Sequence, residues 1–139
     1  MVEKLKERGL KATPQRLAIL RELDKKNHPT IDELYSNLKS THPSISLATV
    51  YKNLNMLRDA GLVVELIPPV ANGKSKYDIY LKPHIHLMCR VCGEVMDYYV
   101  DDAVHECNTL LKKITNKEIE NVNVIGMTIC DNCKGIVEK

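Results

Sequence analysis

Apolar residues recur with helical spacing over the first sixty positions of the chain. Three of these amphipathic stretches begin at a residue that can cap a helix. Thr13 stands directly before a proline, Thr30 stands three residues before Glu33, and Ser46 opens the third stretch. A shorter charged stretch at residues 2–8 precedes them. The pattern predicts four helices, the last of which ends at Gly61.

The pattern then changes to that of extended strands. Residues 63–67 are mostly β-branched and residues 76–81 alternate between apolar and polar, while Asn72 and Gly73 between them form a strong turn signal. These features predict a β-hairpin. A helix with an exposed polar face followed by a hairpin is the element order of a winged helix-turn-helix, in which the fourth helix here would enter the major groove of DNA.

Beyond Pro83 the pattern predicts a second, smaller arrangement of strands and helix. Residues 85–90 and 94–99 are predicted strands joined by a Cys-x-x-Cys-Gly turn, residues from 101 onward form a helical stripe, and residues 118–127 alternate weakly as a third strand. Cys107 falls on the stripe, where it is predicted to be a small buried apolar residue; a ligand or sensor thiol is the alternative. The sequence therefore predicts an α+β protein with domains at 1–82 and 83–139.

Composition limits the possible functions. The chain has 139 residues, 44% of them apolar, and no apolar run approaches the roughly 18 residues that a membrane-spanning helix needs. We therefore expect a cytoplasmic protein without a membrane partner. Residues 1–81 contain 13 Lys and Arg against 9 Asp and Glu, and residues 82–139 contain 7 against 9. The basic first half permits contact with phosphate groups but is equally typical of a solvated surface.

Four of the five cysteines form two Cys-x-x-Cys pairs: Cys89 with Cys92, and Cys130 with Cys133. Four thiolates can make a closed tetrahedral zinc site, which would be structural because no position remains open for a substrate. An odd number of cysteines without a secretory signal favours metal ligation over a disulfide framework. Two redox dithiols or a pair of disulfides are the alternatives.

A second group of residues offers nitrogen and oxygen donors: His28, Asp78, His84, His86 and Asp97. Imidazole and carboxylate together suit Fe(II), Mn(II) or Zn(II). Only His84 and His86 are close in sequence, where strand geometry would aim both rings to one side. The alternative is that each residue is an ordinary capping, surface or solvated side chain.

Candidate nucleic-acid contacts lie at the start of the second helix and along the fourth. Arg16 can bind a phosphate, Tyr51 can contact a thymine methyl group and a phosphate, and Lys52 and Asn53 can reach base edges. An ordinary amphipathic helix with a hydrated face is the alternative.

Several segments together resemble the Fur family of metal-dependent repressors over nearly the whole chain. They are Gly-Leu-Lys-Ala-Thr-Pro-Gln-Arg at 9–16, His28-Pro-Thr, Ala-Thr-Val-Tyr-Lys-Asn-Leu at 48–54, Gly-Leu-Val at 61–63, the run from His84 to Gly93, and the Cys130 to Cys133 pair. The resemblance implies an N-terminal winged-helix DNA-binding domain and a C-terminal α/β dimerisation domain. It also implies a homodimer that binds double-stranded operator DNA, and a regulator that is not an enzyme and takes no organic small-molecule substrate.

The resemblance also assigns roles to individual residues. It implies that the cysteine quartet holds structural Zn(II) and that the five nitrogen and oxygen donors hold a regulatory Fe(II) or Mn(II). It places Lys11 at the minor groove. Together, the resemblance and the chemistry of the side chains predict a set of DNA-binding residues: Lys11, Arg16, Ser46, Thr49, Tyr51, Lys52 and Asn53.

Within the family the chain is most similar to the peroxide-sensing (PerR) branch, because Asp97 stands where iron sensors commonly have Glu. This implies that Fe(II) and hydrogen peroxide together oxidise His28 or His84, after which metal affinity falls and the repressor leaves DNA. An iron-responsive repressor with Fe(II) as a reversible corepressor is the alternative. More distant alternatives are a thiol oxidoreductase that uses a Cys-x-x-Cys pair and a zinc-stabilised interaction module.

Overall fold

The computed structural model describes residues 1–137 and combines helices with two small sheets. In chain order the elements are α1 (Val2–Glu7), α2 (Pro14–Leu23), α3 (Ile31–Thr41), α4 (Leu47–Asp59), β1 (Val63–Leu66), β2 (Lys76–Ile79), β3 (Ile85–Cys89), β4 (Val95–Tyr98), α5 (Asp101–Thr115), β5 (Val124–Thr128) and α6 (Asp131–Val137). In this part of the chain no helix is both long enough and apolar enough to cross a membrane. The predicted α+β class is confirmed.

The chain divides into two compact units. The first contains Met1–Leu66 and Ser75–Leu81, and the second contains Ile67–Lys74 together with the residues from Lys82 onward. The loop between β1 and β2 thus belongs to the second unit, whereas the predicted division at residue 82 placed it in the first domain.

The first unit contains the four predicted helices and the predicted hairpin. The three predicted caps are present: the hydroxyl oxygens of Thr13, Thr30 and Ser46 accept hydrogen bonds from the backbone N–H groups three residues later. Strands β1 and β2 pair antiparallel. The helices and the hairpin bury one aliphatic core, whose fully buried members include Leu5, Ile19, Leu20, Leu34, Leu54 and Leu57.

One further backbone contact in the first unit positions the candidate site. Thr30 forms an isolated antiparallel bridge with Lys76, and the Tyr77 N–H donates to the Pro29 carbonyl at 2.9 Å. The segment before α3 therefore runs alongside the edge of β2 that faces away from β1.

The second unit is built on a three-stranded sheet in the order β4-β3-β5. β3 pairs antiparallel with β4 and parallel with β5, and α5 connects β4 to β5. Asn116, in the left-handed conformation at φ 55°, ends α5.

Two predictions for this unit need correction, and one element was missed. The last strand begins at Val124 and not at residue 118, because residues 118–123 are mostly polar and form no strand. Helix α6 was not predicted, and it carries Cys133. Cys107 is half-buried, not buried, because the stripe of α5 on which it lies remains partly open in this chain.

Candidate metal centres and nucleic-acid interface

The four paired cysteines lie together in the second unit. Their sulfur atoms all lie within 4.8 Å of one another, and Cys92 Sγ is 3.8 Å from Cys130 Sγ. Cys89 ends β3, the Cys-x-x-Cys-Gly turn brings Cys92 back to it, and the start of α6 supplies Cys133. All four are free thiols. The structure thus brings the predicted quartet into one cluster.

The cluster fits a tetrahedral zinc ion. A tetrahedron with Zn–S bonds of about 2.3 Å has S–S edges of about 3.8 Å, the separation of Cys92 and Cys130. Backbone N–H groups of Val91 and Cys130 each donate to Cys89 Sγ at 3.4 Å. The Cys130 backbone N–H contributes most to lowering the pKa of Cys89 to about 6, while the hydrogen bond with the Cys130 thiol contributes most to raising the pKa of Cys133 to about 12. One sulfur is thus prepared as a thiolate.

In the first unit, two of the predicted nitrogen and oxygen donors lie close together. His28 lies in the loop two residues before the bridge residue Thr30, and Asp78 lies on β2 two residues after its bridge partner Lys76. His28 Nε2 lies 3.8 Å from Asp78 Oδ2, and the Asp78 side chain is fully buried. His28 adopts a positive φ of 47°, an uncommon conformation for this residue type that is often found at functional positions.

In the second unit, a cross-strand pair brings together two more of the predicted nitrogen and oxygen donors. His86 on β3 stands directly opposite Asp97 on β4, and His86 Nε2 lies 3.4 Å from Asp97 Oδ1. His84 Nε2 lies 4.0 Å from the same carboxylate oxygen, and the two imidazole rings meet edge to face with centroids 4.5 Å apart. Both histidines are 1% exposed.

The ring of His84 is held from two further directions. Its Nδ1 lies 2.8 Å from the Lys82 carbonyl oxygen. A carbonyl can only accept, so Nδ1 carries the proton and Nε2 carries the lone pair that a metal would take. The Tyr99 ring stacks on the imidazole with centroids 4.7 Å apart and an interplanar angle of 25°. Tyr99 was not predicted; the signal was the register of β3 with β4, which continues to place Tyr99 opposite His84.

The donor chemistry fits the ions predicted for these residues. Neutral imidazoles and carboxylates are the ligands that Fe(II) and Mn(II) accept, and they differ in kind from the thiolate cluster. The carboxylate of Asp78 is buried and that of Asp97 is half-buried, both beside imidazoles, which favours a bound cation because an isolated buried charge is costly.

The structure separates the predicted DNA contacts into two groups. Lys11, Tyr51 and Lys52 are exposed. Ser46 caps α4 and its hydroxyl lies 2.8 Å from that of Thr49, so both sit at the exposed start of this helix.

Arg16 and Asn53 form the other group, because they bind one another and Asn53 is buried at 9% exposure. The polar atoms of both side chains thus form hydrogen bonds inside the first unit.

Comparison with known proteins assigns the family. The model of the ferric uptake regulator family matches residues 7–126 of the chain. The chain belongs to this family. This confirms the resemblance found in the sequence motifs.

Relatives within the ferric uptake regulator family include named peroxide regulators. The chain is 33% identical over 134 residues to the peroxide-responsive repressor PerR of Staphylococcus epidermidis, an alignment that covers 96% of this chain and 87% of that protein. It is 35% identical over 133 residues to the peroxide operon regulator of Bacillus subtilis, covering 95% and 90%. The solved structure of the Campylobacter jejuni peroxide stress regulator matches with a TM-score of 0.75 and 44% identity, covering 96% of this chain and 98% of that one.

Proposed function

We propose that this protein is a metal-dependent, DNA-binding transcriptional repressor that senses hydrogen peroxide through oxidation of a histidine ligand. The observation that carries the proposal is the cross-strand pair of His86 and Asp97, which joins His84 in one buried cluster of nitrogen and oxygen donors. The similarity to peroxide regulators of three organisms supports it.

The residues that hold the regulatory ion are those that the resemblance assigns: His28, Asp78, His84, His86 and Asp97. When bound, Fe(II) would supply the redox chemistry that activates hydrogen peroxide, and Mn(II) would not. The imidazole of His28 or His84 would lose two electrons and gain one oxygen atom of the peroxide, with water as the other product. An oxidised imidazole is a poorer donor, so metal affinity falls and the repressor leaves DNA.

The cysteine quartet holds Zn(II) in a purely structural role. With four sulfur ligands the ion has no open position for a substrate, and the cluster ties the end of β3 to the start of α6. This role also argues against the thiol oxidoreductase alternative, since metal-bound cysteines are not free to exchange disulfides.

The partners are operator DNA and a second copy of the chain. Tyr51 and Lys52 on the exposed face of α4 support contact with DNA in the major groove. Apolar side chains exposed on α5 and β5, among them Leu110, Ile114 and Met127, support a homodimer through the second unit.

Mass spectrometry of oxidised peptides tests the sensing chemistry. The protein is loaded with Fe(II) or Mn(II), exposed to hydrogen peroxide and digested with trypsin. One peptide, residues 27–39, contains His28, and another, residues 77–90, contains both His84 and His86. We expect one added oxygen on His28 or His84 in the iron sample only. Fragment ions distinguish His84 from His86 and from Met88, which serves as a marker of general oxidation.

Two results would separate the alternatives. Histidines that stay unmodified while Fe(II) binds reversibly and controls DNA binding would favour an iron-responsive repressor. Equal histidine oxidation with Mn(II) would contradict sensing by bound iron, because the oxidation would then not depend on the metal's redox chemistry.

A further inference from the structure

Helix α4 carries two asparagines, two residues apart, with opposite environments. Asn53 is buried and lies on the side of the helix that faces the core, while Asn55 is exposed. Residues two apart on a helix point in different directions, so only one of the two amides can face DNA.

Both polar atoms of the Asn53 amide form hydrogen bonds inside the first unit. Its Oδ1 accepts a hydrogen bond from Arg16 Nε at 3.1 Å, and its Nδ2 donates to the Thr49 carbonyl at 2.9 Å. These two bonds fix which end of the amide is oxygen and which is nitrogen. The Asn53 side chain therefore braces α4 against α2.

Arg16 is braced in the same way. Besides Asn53, its guanidinium donates to the Lys11 carbonyl at 2.9 Å through Nη1 and to Met56 Sδ at 3.4 Å through Nη2. One cation thus fixes the backbone at Lys11, the start of α2 and the inner side of α4. All three kinds of guanidinium nitrogen are directed at the protein.

The outer face of α4 presents a different set of side chains. Ala48, Tyr51, Lys52 and Asn55 follow the spacing i, i+3, i+4 and i+7, which places them on one face, and all four are exposed. The opposite face buries Val50, Leu54 and Leu57 in the core. Asn55 is thus one turn beyond the two residues best suited to contact DNA.

We propose that Asn55 is a base-reading residue of α4, and that Arg16 and Asn53 are positioning residues that hold this helix. An asparagine amide offers a donor and an acceptor that match the N6 and N7 atoms of adenine in the major groove. The proposal rests on the DNA-binding function proposed above and adds a specificity residue to it.

Selection from a random duplex pool tests the proposal with the complete, Mn(II)-loaded protein. The wild type first selects its preferred duplex, and a scrambled duplex of equal length serves as the non-specific control. Asn55→Ala, Asn53→Ala, Arg16→Lys and Arg16→Ala are then compared with the wild type. Fluorescence anisotropy gives the affinity for both duplexes over a range of salt concentrations, and thermal unfolding gives stability.

For Asn55→Ala we expect affinity for the selected duplex to fall about 5- to 150-fold, the loss of one base contact. Affinity for the scrambled duplex and the unfolding midpoint should stay at the wild-type values. When the selection is repeated with this variant, the base preference should be weaker at one or two positions of the duplex. Asn55→Gln, which keeps the amide, should retain part of the discrimination.

For the positioning pair we expect another signature. Asn53→Ala and Arg16→Lys should lower the unfolding midpoint and weaken binding to both duplexes in parallel. Loss of a direct phosphate contact reduces the salt slope by about 0.9 per contact. Arg16→Ala should leave that slope unchanged, because its guanidinium is directed at the protein.

Three outcomes would overturn the assignment. If the Asn55→Ala variant selects the same bases as the wild type with unchanged affinity, Asn55 does not read bases. If the Asn53→Ala variant loses sequence specificity while its stability is unchanged, Asn53 is the base-reading residue. A wild type that enriches no sequence from the pool would overturn the DNA-binding function and this assignment with it.

Discussion

The side chain of His84 is held in place before any metal arrives. The Lys82 carbonyl fixes the proton on Nδ1, and the Tyr99 ring lies against one face of the imidazole. A ligand that is already oriented loses less conformational freedom when it binds an ion. We therefore expect Tyr99 to raise metal affinity by orienting the His84 ring.

Replacement of Tyr99 tests this contribution. We expect Tyr99→Ala to weaken Mn(II) binding about 2- to 10-fold, the range of one aromatic stacking contact. Tyr99→Phe keeps the ring and should bind as the wild type does. Calorimetric titration of Mn(II) measures the affinity, and the NMR shifts of the His84 ring protons in metal-free protein report the loss of the stack. Equal affinity in both variants would show that the stack has no role.

For individual residues, the sequence predicts which side chains can bind a metal or DNA better than it predicts how buried those side chains are. Cysteine spacing predicted one cluster because each pair can chelate from a single turn. Asn53 was predicted on the exposed face, and its burial depends on Arg16, 37 residues away. A contact over that distance cannot be predicted from helical spacing within α4 alone.

Among the secondary-structure elements, α4 is joined to the hairpin by a charged network. Arg58 Nη1, near the end of α4, lies 2.6 Å from Glu65 Oε1 on β1, and the hydroxyl of Ser75 donates to Glu65 Oε2 at 2.7 Å. The Ser75 hydrogen bond, followed by the effects of Arg58, lowers the pKa of Glu65. The folded state thus favours the ionised carboxylate.

This lowered pKa predicts a dependence of stability on pH. A carboxyl group with a depressed pKa in the folded state stabilises the protein above its unfolded pKa, about 4.3 for Glu, and loses that contribution as pH falls. We expect Glu65→Gln to lower the unfolding free energy at pH 7 and to flatten its decline below about pH 4. Urea unfolding at several pH values measures both.

Glu118 provides the control for that experiment. It lies 3.1 Å from Lys112, but its side chain is 87% exposed. Exposed ion pairs contribute little, so Glu118→Gln should leave the pH profile almost unchanged. Identical profiles for the two variants would contradict the role of the network at Glu65.

The cysteine cluster makes a second prediction at this scale, because it joins the end of β3 to α6. Cys133→Ser should lose the zinc ion and lower the unfolding midpoint, since a tetrahedral site cannot close on three thiolates alone. Cys107→Ser is the matched control and should keep one zinc ion per chain. Elemental analysis and thermal unfolding measure the two effects. Full zinc content in Cys133→Ser would contradict the assigned ligand set.

Elements with a distinct capping residue were predictable from sequence. Thr13, Thr30 and Ser46 each predicted the start of a helix, because a side-chain oxygen there satisfies a backbone N–H that would otherwise lack a partner. The start of β5 and the whole of α6 have no comparable signal. A weak alternation over residues 118–127 cannot distinguish a strand from the polar segment that precedes it.

At the scale of the whole molecule, the second unit exposes an apolar surface. Ile114 on α5 is 71% exposed and Met127 on β5 is 67% exposed, and β5 is an edge strand of its sheet. An uncovered edge strand with apolar side chains favours pairing with another chain. A second copy of this protein is the occupant consistent with the proposed homodimer.

A charge on this surface tests the dimer. We expect Met127→Lys to raise the dimer dissociation constant by at least about tenfold, because each copy would bring a charge into the apolar contact. Ile67→Lys, at another exposed apolar position (65% exposed) in the same unit, should have no such effect. Sedimentation equilibrium measures both. A Met127→Lys variant that remains dimeric would place the interface elsewhere.

The division of the molecule was the least predictable feature from sequence. The sequence pattern changes near Pro83, and Leu81 is the last residue of the first unit. The loop from Ile67 to Lys74 belongs to the second unit, although it connects two strands of the first. The unit to which this loop belongs depends on the residues that it packs against, and these cannot be predicted from the local sequence pattern.

The turn between β3 and β4 positions two cysteines and also fixes the register of the two strands. It is closed by hydrogen bonds from Gly93 N–H to the Cys89 carbonyl and from Cys89 N–H to the Glu94 carbonyl, both at 2.9 Å. Deleting one residue from it would slide β4 by one place and bring Tyr98 opposite His86 instead of Asp97. The length of the turn therefore determines which residue of β4 stands opposite His86.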